Sequence, residues 1–393
     1  MTGTPEEMER LHRASGGNRH WIVVAVIAVV AILIAVAALA GWFSPAAQHT
    51  TLLGAGATFP YPLISKWSSV YVNLTGVQVN YQAIGSGGGI SQITAKTIDF
   101  AGSDAPLKPS ERAAAPGLLH IPETIGAVTA AYNVGSLSTG LNLTGPVLAE
   151  IFLGNVTTWN DPSIAALNPG MTLPSTTITV VHRSDSSGTT FVWTSYLHLM
   201  NPGWNSSLVG KSINWPNFAG STGAPGNAGV AGKILQTPDS IGYVELAYTV
   251  QNSMKIAKVQ NPAGNFILPS LASTAAAAAS ASSLPSPSGD WGNVSILNAA
   301  GAANSYPIAS FTYLLVYQEL NTIGSSMTQT KAQALVDFLW WAVHDALGCD
   351  PPRCPGGQQY AAGLVYPALP QSVVTLDETA IRSITFNGQT LHS

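Results

Sequence analysis

Three times along this chain a β-branched or apolar run gives way to a turn of glycine with serine or threonine, and then to a segment of helical period. No other feature restricts the fold as strongly. The first run, 50–53, enters Gly54-Ala-Gly-Ala-Thr-Phe-Pro60, and Trp67, Val70 and Tyr71 then predict a helix over 61–73. The second, alternating over 77–83, ends at Ile84-Gly-Ser-Gly-Gly-Gly89 and opens a helix through Ile98. In the third, a strand over 176–181 meets Arg183-Ser-Asp-Ser-Ser-Gly-Thr-Thr190 and a helix over 191–200. Strand, glycine turn, helix in repetition predicts an α/β protein of parallel βαβ units, whose ligands collect at the carboxyl ends of the strands. Further strands are expected near 99–104, over 128–133, 241–244 and 308–317, and further helices near 146–152 and over 327–346. Between 272 and 289 the chain is low in complexity, an alanine run followed by a Ser/Pro loop.

The third turn has the chemistry of an anion site. Ser186, Ser187 and Thr189 are capping types beside the unpaired N–H groups of a helix start, Gly188 permits close approach, and Arg183 adds a forked cation. Taken alone, the same residues would equally make an ordinary capped helix. Other chemistries fit worse. Gly54-x-Gly56 lacks the third glycine of a dinucleotide fingerprint, and Lys233 has no phosphate loop before it. Ser187-Gly188 lacks the nucleophile elbow, and His182 and Asp185 are neighbours in sequence, whereas triads assemble in space. Only 9% of residues are charged and the net charge is −4, which argues against nucleic acid as a partner. An anion would be held here by local donors and one or two cations.

Residues 21–40 are uncharged and mostly Val, Ile and Ala, a length that spans the roughly 30 Å core of a bilayer. Arg13 and Arg19 precede the run, and the next charge is Lys66. The positive-inside rule therefore predicts a cytoplasmic tail, 1–20, a transmembrane helix or signal anchor, 21–43, and an extracytoplasmic body. Cleavage at Ala38-Leu39-Ala40 is the alternative, giving a secreted or periplasmic protein, but the run exceeds the usual hydrophobic region of a signal peptide. Trp42 stands where a lipidated cysteine would be needed. Two features agree with an outside location. Asn-x-Ser/Thr sequons occur at Asn73, Asn142, Asn155, Asn205 and Asn293, and the two cysteines, Cys349 and Cys354, are spaced for a local disulfide. No metal site is expected; His344, in an apolar helix-like stretch, reads as a packing or surface residue.

Five segments in order, Gly54-Ala-Gly-Ala-Thr-Phe-Pro60, Ile84-Gly-Ser86, Ser103-Asp-Ala-Pro-Leu107, Arg183-Ser-Asp-Ser-Ser-Gly-Thr189 and Ile241-Gly-Tyr-Val-Glu245, resemble the phosphate-binding proteins of Pst phosphate ABC transporters. The resemblance runs from about Leu52 to Asp377. It implies a two-lobe periplasmic-binding-protein fold of class II type with two chain crossovers, one lobe from 44–131 and 306–393 and the other from 132–305. It implies a receptor without enzymatic activity or cofactor, whose partners are inorganic phosphate, the permease subunits and, through the amino-terminal helix, the membrane. By position, Thr58, Phe59, Ser86, Asp104, Arg183, Ser187, Gly188 and Thr189 would bind phosphate, and Asp185 would orient the arginine. Asp104 would then confer selectivity, because a carboxylate repels an anion unless the anion brings a proton, as phosphate does and sulfate does not. Two positions depart from the pattern: Gly87 stands where many relatives have serine, and Ser186 where they often have glycine. The competing functions are an extracytoplasmic phosphatase or other hydrolase, which would need a nucleophile or metal ligands beyond this set, and a surface adhesion or sensing protein, which need not keep Arg183 and Asp104 together.

Overall fold

The computed structural model describes residues 21–31, 50–281, 284–300, 302–345 and 354–392. Residues 21–31 are helical, while the cytoplasmic tail and the rest of the predicted membrane span lie outside the described residues. Among the described residues no helix is long and apolar enough to cross a membrane.

Each predicted βαβ unit of the body forms. Strand β1 (Thr51–Gly56) leads through Pro60 into helix α1 (Tyr61–Thr75), whose Pro62 sits in the first turn and whose end is closed by Gly76 in the left-handed conformation. Strand β2 (Gln78–Ala83) leads into α2 (Ser86–Thr94), and β3 (Phe100–Ser103) follows. Strand β1 lies between β2 and β3, parallel to both, and its pairing carries on through Gly54 to Gly56, so the strand reaches further than its apolar run. The second set of units repeats the plan. Strand β5 (Thr179–Arg183) precedes α3 (Gly188–Met200), β6 (Ser221–Ala224) precedes α4 (Gly226–Gln236), and β7 (Ser240–Glu245) runs parallel to β5.

One element joins the two sets. Strand β4 (Leu118–Asn133) is buried at every residue before its last, and it changes partner along its length. From Leu118 to Ala127 it pairs antiparallel with β8 (Ala309–Tyr317), and from Val128 to Asn133 with β7. A nine-stranded sheet results, ordered β2-β1-β3-β8-β4-β7-β5-β6, with the short strand Lys255–Ile256 also on β4. The sequence reading found only the last third of β4. His120, Pro122 and Glu123 break the apolar run before it, and their burial rests on partners that lie far away in the chain.

Aromatic clusters fix the helices on each half of the sheet. On the first, Trp67 and Tyr71 of α1 pack against Trp341 of α5 (Gln329–Val343), with ring centroids 6.3 and 5.1 Å away, and Trp67 Nε1 donates to the Gly357 carbonyl at 2.7 Å. On the second, Trp193 of α3 stacks on Tyr243 of β7 at 5.3 Å and meets Phe152 at 5.1 Å. Burying each such ring contributes roughly 1.5–3 kcal/mol beyond leaving it exposed. The alanine run forms a helix, Leu271–Ala278, with Ser270 as its cap, and α6 (Gln371–Arg382) packs against α5. Cys354 is disulfide-bonded, and its predicted partner Cys349 lies outside the described residues. His344 is a packing residue: it is buried, with Nε2 3.1 Å from Glu378.

Candidate functional site

All the predicted ligands sit at or just beyond the carboxyl ends of parallel strands. Thr58 and Phe59 follow β1, Ser86 follows β2 as the first residue of α2, and Asp104 follows β3. Arg183 ends β5, Ser187 caps α3, and Gly188 and Thr189 begin it. Helix α3 thus starts three residues earlier than its apolar period indicates, because the Ser187 hydroxyl accepts the Thr190 N–H at 3.0 Å and draws Gly188 to Thr190 into the first turn.

The structure brings the two strand sets into one polar cluster. Ser86 Oγ accepts from the backbone N–H of Asp104 at 3.2 Å and of Gly188 at 3.0 Å, so its own proton remains to be given. Thr189 lies between the charges, accepting from Arg183 Nη1 at 3.4 Å and reaching Asp104 Oδ2 at 3.4 Å. A side chain at Gly188 would not fit, since a Cβ there would come within 2.5 Å of Ser86 Oγ and 2.6 Å of Asp104 Oδ2. Ser187 gives its backbone N–H to the Lys211 carbonyl at 2.8 Å, which leaves its hydroxyl proton as its available donor. Thr58 and Phe59 are held from outside the cluster: Tyr248 donates to the Thr58 carbonyl at 2.6 Å, and Tyr366 to the Phe59 carbonyl at 2.7 Å.

Arg183 is 3% exposed, and a carboxylate holds it in place. Asp185 Oδ1 accepts from Nε at 2.6 Å and Oδ2 pairs with Nη2 at 2.5 Å, while the Gly226 N–H at the start of α4 also donates to Oδ1. Burial would raise the Asp185 carboxyl, but the hydrogen bond and charge of Arg183 outweigh it and hold it below the ordinary range. Asp185 therefore orients the guanidinium and leaves Nη1 toward Thr189. Asp104 is the opposite case. Burial pushes it up to about 7, against the lowering effects of Arg183 and of hydrogen bonds from Thr312 and Thr189. A carboxyl so poised exchanges its proton near neutrality.

The two departures from the sequence pattern meet each other in space. A Cβ at Gly87 would lie 2.0 Å from Ser186 Oγ, and the Gly87 N–H donates to the Ser186 carbonyl at 3.1 Å. Ser186 thus occupies the space that a side chain at Gly87 would need. The hydrolase reading finds no support in the geometry, because Asp185 is committed to Arg183 while His182 stacks on Trp215 at 4.5 Å with Nδ1 3.0 Å from the Arg183 carbonyl. Among the described residues no group of His, Cys, Asp and Glu could hold a metal.

Sequence reasoning missed several members. Asn227, at the start of α4, donates through Nδ2 to both Thr58 Oγ1 and Thr189 Oγ1 at 3.0 Å, tying the first strand set to the second. Its Oδ1 accepts from the Glu245 N–H at 3.0 Å. Glu245, the last residue of β7, has Oε2 accepting from Ala247 N and lying 3.0 Å from Tyr366 Oη, and burial raises it to about 8. Pro225-Gly226-Asn227 after a short strand repeats the turn-then-helix signal and could have pointed to Asn227.

The profile of the PBP superfamily domain matches residues 44–345. The phosphate-binding protein PstS of Xylella fastidiosa (strain 9a5c) is 42% identical over 340 residues, which cover 84% of this chain and 85% of the relative. The chain belongs to the PstS family of phosphate-binding proteins. Another member, the PstS of Pasteurella multocida (strain Pm70), is 42% identical over 338 residues, 84% of this chain and 90% of its own length. The fold is shared with a high-affinity periplasmic phosphate-binding protein (PfluDING) bound with phosphate, at a TM-score of 0.64 and 22% identity over 84% of this chain and 93% of that one. A phosphate-binding protein from Stenotrophomonas maltophilia shares it at a TM-score of 0.62 and 19% identity over 85% and 94%.

Proposed function

We propose that this member of the PstS family is an extracytoplasmic receptor that captures inorganic phosphate and delivers it to the permease of an ABC transporter. It is a binding protein and not an enzyme. The observation that carries the reading is the joining of Arg183, fixed by Asp185, to Asp104 through Thr189, within a cluster fed by three helix starts. We assign phosphate contacts to Thr58, Phe59, Ser86, Asp104, Arg183, Ser187, Gly188 and Thr189. The partner change of β4 at Val128 supports a first lobe of 44–131 and 306–393 and a second of 132–305, closing on the ligand between them. Calorimetric titration of the full chain with phosphate and then sulfate tests the function. Saturable phosphate binding that sulfate does not compete is expected, and a failure to bind phosphate would refute it.

We further propose that the amino-terminal segment is retained as a single-pass anchor over 21–43, with 42–51 tethering the receptor near its permease. Support comes from the length of the apolar run and its one-sided positive flank. Mass spectrometry of the protein from membranes should find the segment intact and the protein resistant to carbonate extraction. A soluble product starting at Gly41 would show instead that the segment is a signal peptide.

A further inference from the structure

We propose that Glu123 is a positioning residue of the phosphate site: as a neutral acid it donates to Thr312, commits the Thr312 hydroxyl to Asp104 Oδ1 and leaves Asp104 Oδ2 for the proton of the ligand. The proposal rests on the phosphate-receptor reading above. It starts from a fault in the sheet. The pairing of β4 with β8 passes from Thr124↔Thr312 to Pro122↔Tyr313, so Glu123 is the extra residue of a bulge, beside a proline that cannot donate to the ladder. Bulges re-aim side chains next to functional sites. This one aims Glu123 at Thr312, whose Oγ1 lies 3.2 Å from Glu123 Oε1 and 3.1 Å from Asp104 Oδ1.

A threonine hydroxyl has one proton and cannot give it to two carboxylates. One of the two acids must therefore hold a proton of its own and donate it to Thr312. Asp104 has Thr189 and the charge of Arg183 to favour its ionised form. Glu123 has Thr312 alone; its Oε2 has no partner among the described residues, and both its burial and the charge of Asp104 raise it, to about 8. The proton resides on Glu123.

The surroundings supply no competing control. From β2 Tyr81 faces the pair and donates to the Ala57 carbonyl, and from β8 Tyr313 senses Asp104; burial raises both phenols far out of the neutral range. Glu245 of β7 is bonded to Tyr366 and Ala247. Helices α5 and α6, which pack along β4, carry Lys331 paired with Asp99, Asp337 bonded to Gln333, Glu378 paired with His344, Arg382 over the Trp340 ring, and Asp377, whose carboxyl burial raises. When Glu123 ionises it competes for the proton of Thr312 and adds a second negative charge behind Asp104. Phosphate binding is then opposed, and by linkage the bound state draws a proton back onto Glu123.

The test is calorimetric titration of the full chain with inorganic phosphate in the parent, Glu123→Gln and Glu123→Ala, from about pH 7 to about pH 9.5. Glutamine can still donate to Thr312 but never ionises. Near neutrality Glu123→Gln is expected to bind within about threefold of the parent, as an isosteric donor should. Above about pH 8 the parent should weaken with a slope approaching tenfold per pH unit, while both variants stay flat over the same range. Repeating the titration in buffers of different ionisation enthalpy should show proton uptake on binding by the parent and none by either variant. The proposal is overturned if the parent binds equally well throughout, or if the folded variants share its alkaline loss and proton uptake. Absence of phosphate binding by the parent near neutrality would instead overturn the receptor reading itself.

Discussion

Replacing Arg183 by alanine is expected to weaken phosphate binding by about 2–5 kcal/mol, roughly thirtyfold to several thousandfold, the range seen when one member of a buried hydrogen-bonded charge pair is truncated. The guanidinium is buried and makes two jobs possible at once. In the proposed site it would cancel the ligand's charge in a place where water cannot, and it opposes the rise of Asp104 toward its neutral form. Without it, the anion would face Asp104 with no cation of the cluster opposite, since the ammonium of Lys211 is spent on Glu111 at 2.8 Å. Asp185 would also lose its partner at 22% side-chain exposure, so some loss of stability accompanies the loss of binding. Arg183→Lys separates the two effects. It keeps a charge but cannot hold Asp185 with Nε and Nη2 while turning Nη1 to Thr189, so it should fold like the parent and bind at an intermediate level. Calorimetric titration with phosphate, with thermal melts as the control for folding, checks both variants. Binding by a folded Arg183→Ala within a few-fold of the parent would mean the anion is held elsewhere.

The parts of this site legible in the sequence are those that a local motif announces. Glycine turns after apolar runs marked the ends of β1, β2 and β5, and the capping residues before α3 marked its start, because each signal depends on residues within one turn of each other. Glu123 and Thr312 carry no such signal. Thr312 is, with Ser310, one of two polar residues in an otherwise apolar strand, and Glu123 looks like an interruption of a strand and not a member of one. Their meaning comes from a bulge that only the pairing of residues about 190 apart creates. Tyr248 and Tyr366 are equally silent, since a buried tyrosine whose hydroxyl holds a distant loop is spelled like one that merely packs. The pair Gly87 and Ser186 lies between these cases. Each was visible as an oddity, but that the two face each other is a statement about distance across the cluster.

Changing Asp104 to asparagine should cost discrimination more than affinity. In the parent, Asp104 Oδ1 is taken by Thr312, and Oδ2, beside Thr189, is the acceptor that in the proposed site a ligand would satisfy with a proton. Sulfate brings none near neutrality, so two lone-pair-bearing oxygens would be pressed together in a buried site, a penalty of the kind that charged unsatisfied groups incur. An asparagine keeps its oxygen for Thr312 and turns an amide toward the ligand, so it donates where the carboxylate could only accept. The phosphate-to-sulfate affinity ratio is expected to fall by at least about tenfold to hundredfold, with phosphate itself retained within about tenfold. The parent should show the same relaxation through pH alone. Because burial places Asp104 at about 7, acidification through that value loads the carboxyl with a proton, and a protonated Asp104 can donate to sulfate as asparagine does. Phosphate should bind throughout the same interval, since its monohydrogen and dihydrogen ions both carry a proton that an ionised Asp104 can accept, and a neutral Asp104 can donate to an oxygen of either. It should weaken only in strong acid, where phosphate takes up further protons and loses its negative charge. Sulfate exclusion is thus expected to be strong above neutrality and to fade as the pH falls below about 7, while Asp104→Asn stays unselective at either end. Competition of sulfate against phosphate across that range measures both, and a ratio that neither the substitution nor the pH moves would reduce Asp104 to the cap of a turn.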